Sequence, residues 1–215
     1  MSAIETPKLT NDLIESGEPE NMIREAVTDE QDISGYRFIN ATPDNVEAHV
    51  IEFHDCIFES CKFTRCTFHA IYFADVVFRK CDLSNVDFSQ CFFRRVRFES
   101  CKALGTNFAE ALFEHVVMQD CNCTFANLSS ARLKYVLFDR VDFSNGDFQQ
   151  CGLKSVQFPN CRLIQAEFLH TPLKGIDFTS TNIDGILLSG AELQGAIVTA
   201  VQACDLSRYL GLIVR

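Results

Sequence analysis

The residues able to do chemistry fall into two sets, eleven cysteines and five histidines. Cys56, Cys61 and Cys66 stand five residues apart, each followed two residues later by a phenylalanine, at Phe58, Phe63 and Phe68. Clustered thiolates could bind a soft metal ion or exchange electrons through a disulfide. A spacing of five fits neither a close chelate pair nor one face of a helix. His49, His54, His69, His115 and His170 have no acid or nucleophile at a triad-like spacing, and no P-loop, dinucleotide-binding or zinc-protease motif occurs. Packing is the remaining role for the thiols, since a free cysteine behaves as a small apolar filler. No catalytic residue, metal or cofactor is assigned, and an enzyme is not expected.

The elements that would position these residues are set by one rhythm. From Phe53 to Leu193 an apolar residue returns every five positions, and of 29 consecutive positions only Ala103 and Cys123 are small. Eighteen of the 20 phenylalanines lie in this column or in its backward extension to Phe38. The position two before each centre is small or β-branched, as at Cys56, Cys61, Ile71 and Val76, and it holds nine of the eleven cysteines. Apolar spacings therefore alternate between two and three. A spacing of two puts both side chains on one side of an extended segment. A spacing of three requires a turn before the next pair. A chain that turns after every five residues and always buries the same two positions winds around an axis, as a β-solenoid with rungs about 4.8 Å apart. Cys56, Cys61 and Cys66 then point from different walls and cannot share one ion.

The units CDLSN (81–85), VDFSQ (86–90), TNFAE (106–110), ANLSS (126–130), VDFSN (141–145) and GDFQQ (146–150) follow the pattern A(D/N)LXX. In this the chain resembles the pentapeptide-repeat family over about residues 51–197. The resemblance implies an all-β fold, a right-handed quadrilateral β-helix with four pentapeptides per coil. Residues twenty apart would then stack, and Cys61, Cys81, Cys101 and Cys121 would form one file. Within the family the chain is similar to the Qnr-type group, which protects DNA gyrase and topoisomerase IV from fluoroquinolones. The tail VTAVQACDLSRYLGLIVR (198–215) resembles the C-terminal module of that group, a short helix and an apolar strand that join two copies end to end. It implies a homodimer through Leu206, Tyr209, Leu210, Leu212, Ile213 and Val214. DNA gyrase, and topoisomerase IV beside it, are the implied partners, reached by mimicry of duplex DNA. The unbroken register leaves no room for a large projecting loop.

Three regions are expected: an acidic N-terminal segment with an irregular first coil (1–50), the repeat β-helix (51–197) and a C-terminal helix–strand module (198–215). Residues 1–17 are expected to be mobile, with a capping helix over 19–30 beginning at Pro19. Pro43 and Ala48 interrupt the apolar column, so residues 33–50 are read as irregular. A helix is expected over 199–210 and a strand over 212–214. The two small centres, Ala103 and Cys123, predict a kink or bulge.

Net charge is −10, which disfavours direct binding of nucleic acid. Residues 1–50 hold 11 acidic and 3 basic residues, and residues 51–197 hold 17 and 14. Sorted by the twenty-residue period, one wall (66–70, 86–90, 106–110, 126–130, 146–150, 166–170, 186–190) carries Asp87, Glu110, Asp147 and Glu167 and no lysine or arginine. A wall of one sign focuses a negative potential and could face the basic DNA-binding saddle of gyrase. Asp just before a centre is also the repeat consensus, which would place it there without a partner. Two outward files are apolar: Ile57, Val77, Val117 and Leu137, and Tyr72, Phe92 and Leu112. A partner could cover them, or the N-terminal segment could fold back over them. No apolar run reaches the roughly 18 residues of a membrane span, and the acidic start is unlike a secretory signal. A cytoplasmic protein with reduced thiols is expected. The leading function is a DNA mimic that binds and protects gyrase. The alternative is an interaction scaffold for a partner other than a topoisomerase.

Overall fold

The chain is described over residues 3–213 as a computed structural model. In order it forms β1 (Ile14–Ser16), α1 (Pro19–Asp29), β2 (Ile33–Ser34), β3 (Tyr36–Ile39), β4 (Glu47–His49), β5 (Glu52–Glu59) and β6 (Thr67–His69). There follow β7 (Tyr72–Arg79), β8 (Phe92–Glu99), β9 (Leu112–Gln119), β10 (Arg132–Asp139), β11 (Gly152–Gln157) and α2 (Ala200–Leu206). The long strands are parallel, and their partners are twenty residues apart: Phe53 pairs with Phe73, Phe73 with Phe93 and Phe93 with Phe113. Isolated bridges keep the same offset where no strand is assigned, as from Asp82 to Lys102 and from Asp87 to Asn107.

The corners explain the beat of five. A residue with positive φ closes almost every unit, from Asn40, Asn45 and Val50 to His170, with glycine at 105, 175 and 185. Corners every five residues and partners every twenty make a rod with four walls, which we number from the units 51–55, 56–60, 61–65 and 66–70. Walls one and two share the long strands. The corners at Asn85 and Gln90 are closed turns, in which the N–H of Val86 donates to the Leu83 carbonyl and that of Cys91 to the Phe88 carbonyl. This is the i to i+3 bond of a turn whose third residue needs positive φ.

The interior is dry and aromatic. Phe53, Phe73, Phe93 and Phe113 stack at 5.1, 5.2 and 5.0 Å between ring centroids. Phe88 and Phe108 stack at 5.5 Å, and rings on neighbouring walls meet edge-on, as Phe88 and Phe93 do at 5.8 Å. Offset stacks along the axis and edge contacts across it are the two favourable aromatic geometries. Every wall therefore supplies one centre side chain per coil to a common column, and phenylalanine is the commonest of them.

Four expectations are corrected. Residues 33–50 form a coil in register, with Ile33 paired to Phe53, Phe38 to Phe58 and Ala48 to Phe68, and Pro43 and Ala48 buried as centres. Pro43 fits because its carbonyl still accepts from the Thr64 N–H. No bulge marks Ala103 or Cys123, since the bridges from Asp82 through Lys102 and Asn122 to Asp142 run past both. The ladder is a backbone property, so small centres interrupt only the ring stacking. The N-terminal segment is docked along the rod, as described below. Leu212 and Ile213 form no strand, because a strand here would need a partner that this end of the chain does not supply.

The ladder does break elsewhere. No bridge joins residues 152–157 to 172–177 among the described residues, and β11 is the last strand of its sheet. Pro172 has no N–H to offer the Cys151 carbonyl. Leu153, a centre, is half-buried here, whereas Leu133 one coil earlier is fully buried.

Both ends are capped. Helix α1 starts on Pro19 and turns Pro19, Ile23 and Ala26 inward. Helix α2 opens with a capping box between Thr199 and Gln202. The Gln202 amide donates to the Phe178 and Thr181 carbonyls at 2.9 Å, and the Tyr209 hydroxyl donates to the Ile186 carbonyl. Glu192 is buried beneath this cap, accepting from the N–H groups of His170, Ser189 and Gly190 at 3.0 Å. Burial acts to raise its pKa, but these N–H groups and the Ser189 hydroxyl outweigh that and hold the carboxyl at about 2.

Candidate functional site

Wall four is built from flat units whose outward residues form one file: Thr67, Asp87, Asn107, Asn127, Asp147 and Glu167. Each Asp and Asn of the file closes its own turn. Asp87 accepts from the Ser89 N–H at 2.8 Å, and Asp147 from the Gln149 N–H at 2.8 Å. Asn107 does the same for Ala109 at 3.1 Å, and also donates to the Asp87 carboxylate at 2.9 Å. These are Asx turns, which any Asp or Asn can make. Glu110 sits at a corner and accepts from the Gln90 amide at 3.1 Å. The Glu167 carboxylate makes no hydrogen bond or ion pair among the described residues.

The other walls treat charge differently. Asp75 pairs with Arg95 at 2.6 Å, Glu114 with Lys134 at 2.6 Å, and Glu99 with Arg79 at 2.9 Å. Asp120 pairs with Arg140 at 2.6 Å, and Asp142 with Arg162 at 3.1 Å. Each pair joins adjacent coils. The carboxylates Asp87, Glu110, Asp147 and Glu167 have no cationic partner within the described residues, so their field is not cancelled at short range.

The two apolar files lie on either side of the corner between walls one and two. That corner carries Asp55, Asp75, Arg95 and His115, and the N-terminal segment runs along it. The N–H and hydroxyl of Thr10 donate to Asp55 at 2.8 and 2.7 Å, and the Lys8 N–H donates to Asp75 at 2.8 Å. The Glu5 N–H donates to His115 Nδ1 at 3.1 Å. The Glu5 carboxylate lies 3.9 Å from Arg95 and 3.6 Å from His115 Nε2. Val77 is only 4% exposed, and Tyr72, Phe92, Leu112, Ile57, Val117 and Leu137 are half-buried rather than open. After this strap the chain joins the rod through β1, which pairs with β3.

At the C-terminal end Leu206 is buried and Tyr209 half-buried in the cap, while Leu212 and Ile213 are exposed. The Leu210 side chain and Val214 lie outside the described residues.

All cysteines but Cys204 are buried. They do more than fill space: Cys56, Cys81, Cys91 and Cys161 donate S–H to the carbonyls of Ile33, Phe58, Phe68 and Phe138, always 23 residues earlier. Thr106 and Thr171, at the same position in their units, donate O–H to Leu83 and Phe148 in the same way. Burial pushes the thiol of Cys56 up to about 11 and those of Cys91, Cys151 and Cys161 up to about 12, so none offers a thiolate near neutrality. The ligand atoms of Asp32, Glu52 and His54 approach within 4.8 Å of one another at the surface.

A family model described as the pentapeptide repeat region matches residues 51–111 and 91–159. The chain belongs to the pentapeptide-repeat family. No curated protein matches this pentapeptide-repeat chain by sequence. Among solved structures it is similar to QnrB1, a plasmid-mediated fluoroquinolone resistance protein, at 21% identity and TM-score 0.42, covering 86% of this chain and 95% of that one. It is also similar to HetL of the cyanobacterium Nostoc sp. strain PCC 7120, a pentapeptide repeat protein involved in heterocyst differentiation regulation, at 14% identity and TM-score 0.42, covering 86% and 97%. Rfr23 of the cyanobacterium Cyanothece 51142 follows at 11% identity and TM-score 0.30, covering 83% and 99%. No helix among the described residues is long and apolar enough to cross a membrane.

Within this pentapeptide-repeat rod, Phe125 is the surface residue that sequence reasoning passed over. It sits at the corner between walls three and four, 60% exposed, with φ at 61°. The signal was available, since Phe125 and Phe92 are the phenylalanines outside the five-residue column.

Proposed function

We propose that this pentapeptide-repeat protein binds DNA gyrase, and topoisomerase IV beside it, as a partial mimic of duplex DNA, and so protects them from fluoroquinolones. The observation that carries the reading is the distribution of ion pairs. Carboxylates on the other walls are largely matched by a base one coil away, whereas those of wall four have none among the described residues. An uncompensated line of like charge on a straight rod suits a groove that normally holds a polyanion. The similarity of the tail to the Qnr-type module supports end-to-end pairing of two rods, which would lengthen the negative surface. Exposed Leu212 and Ile213 are suited to that contact.

Magnitude limits the mimicry. Asp87 to Glu167 spans four coils, about 19 Å at the rung spacing, and carries four charges, whereas a duplex carries one per roughly 1.7 Å of axis. Shape and the apolar contact of Phe125 therefore share the recognition. Gyrase supercoiling in the presence of a fluoroquinolone tests the proposal. The wild-type protein is expected to restore supercoiling. The combined Asp87→Asn, Glu110→Gln, Asp147→Asn and Glu167→Gln variant keeps every Asx turn and is expected to lose the rescue. Full rescue by that variant would remove wall four from the mechanism, and no rescue by the wild type would remove gyrase.

A further inference from the structure

The corner that holds the strap is a ready-made track for an extended peptide. Its geometry differs from β-pairing, because the strap from Glu5 to Thr10 offers backbone N–H groups and the rod answers with side chains. Asp55, Asp75, Arg95 and His115 stand twenty residues apart on one corner, so the acceptors Asp55, Asp75 and His115 fall at multiples of the rung spacing of about 4.8 Å, with the Arg95 guanidinium facing the Glu5 carboxylate. The six strap residues from Glu5 to Thr10 cross three such rungs, about 14 Å in five steps, which only extended chain can do. Arg95 and Asp75 are left 12% and 15% exposed beneath it. Ile4, Pro7, Leu9 and Leu13 are half-buried along the same path.

The track continues past the strap. On wall one the units 131–135, 151–155 and 171–175 carry Arg132, Lys134, Lys154 and Lys174 and no acidic residue. Lys134 is paired with Glu114, whereas Arg132, Lys154 and Lys174 are exposed and make no ion pair within the described residues. Among the described residues the hydrogen bonds of the strap fall on the stretch from Asp55 to His115. An occupant running in the same direction, with acidic residues ahead of the position held by Glu5, would meet these bases as well.

We propose that this corner is a docking track for an extended acidic segment of a partner protein, and that the N-terminal segment is its intramolecular stand-in. The partner segment competes with the strap for Asp55, Asp75, Arg95 and His115, and gains over it through Lys154 and Lys174. This surface lies on walls one and two, away from the acidic wall, and stands whether or not gyrase is the target.

The full chain carrying Glu5→Lys and Thr10→Ala has a loosened strap and an intact rod, monitored by circular dichroism. Two fluorescein-labelled peptides serve as probes: residues 3–13, and the same peptide preceded by Glu-Glu-Glu. Fluorescence anisotropy should show both binding the loosened chain, the extended one about tenfold more tightly at low salt. Both should bind the wild-type chain more weakly. Asp75→Asn with His115→Ala in the loosened chain should abolish binding of either peptide. Lys154→Glu with Lys174→Glu should erase only the advantage of the extended one. Equal binding of a scrambled peptide, or no binding to a folded loosened chain, overturns the proposal. A loosened chain that forms dimers by exchanging straps in light scattering would overturn it as well, and would assign the track to a second copy.

Discussion

At the residue scale the cysteines and threonines two before a centre are hydrogen-bond donors as well as fillers. Where cysteine or threonine stands there, its side chain reaches the carbonyl 23 residues earlier. Cys91→Thr is therefore expected to change stability by less than about 1 kcal/mol, and Cys91→Ala to cost about that much or more, as read by urea denaturation. The raised thiols give a pH signature. Their folded pKa of about 11 to 12 lies above the unfolded value of 9.0, so the folded state holds protons that the unfolded state has released. The stability they contribute is intact below pH 9 and falls as pH rises towards 12. In native protein one thiol, Cys204, should react with a thiol reagent, and the remaining ten only on unfolding. Phe125 is a bulky residue at a positive-φ corner where Gly105 and Asn145 stand in the adjacent coils. Phe125→Asn is expected to stabilise the rod by about 1 kcal/mol and, on the proposed function, to weaken gyrase binding.

At the element scale the rod has strong coils and one weak junction. Where β11 lacks a partner on its far edge, the amides of Leu153 and Phe158 should exchange with deuterium faster than those of Leu133 and Phe138, which lie in the intact ladder. Equal protection would mean that the junction closes in solution. The C-terminal cap hangs on Glu192, a buried carboxylate with backbone N–H partners. Glu192→Gln leaves donors facing an amide and should cost about 2 kcal/mol, visible as a lower thermal midpoint. Because its folded pKa of about 2 lies below the ordinary value of 4.5, its contribution is present above pH 4.5 and disappears as pH falls through 2.

At the scale of the whole molecule the charge is sorted by wall. Ion pairs between coils neutralise most carboxylates of walls one to three, and the line on wall four is left without a cationic partner among the described residues. Gyrase affinity should therefore fall with added salt, but less steeply than that of a duplex competitor, because fewer counterions are involved. Titrations at several salt concentrations would check this, and a slope equal to that of DNA would point to a larger acidic surface than wall four.

The sequence by itself determined the rod. The column from Phe53 to Leu193 repeats one burial requirement at one interval, and a one-dimensional pattern of that kind survives without knowledge of distant contacts. It also told which wall each carboxylate occupies, once four sides were granted. The tertiary structure decided what lies outside the period. Glu5 meets His115 across 110 residues, and nothing in the acidic N-terminus announces that its N–H groups will find carboxylates on one corner. Pro43 and Ala48 looked like interruptions because the column counts side-chain size, whereas Ala48 still pairs with Phe68 and the Pro43 carbonyl still accepts from the Thr64 N–H. The neutralisation of three walls needed side-chain geometry as well, since a base one coil away pairs only where both residues share a file. Periodic burial is written locally; charge pairing and strap docking are settled by which surfaces the finished coil brings together.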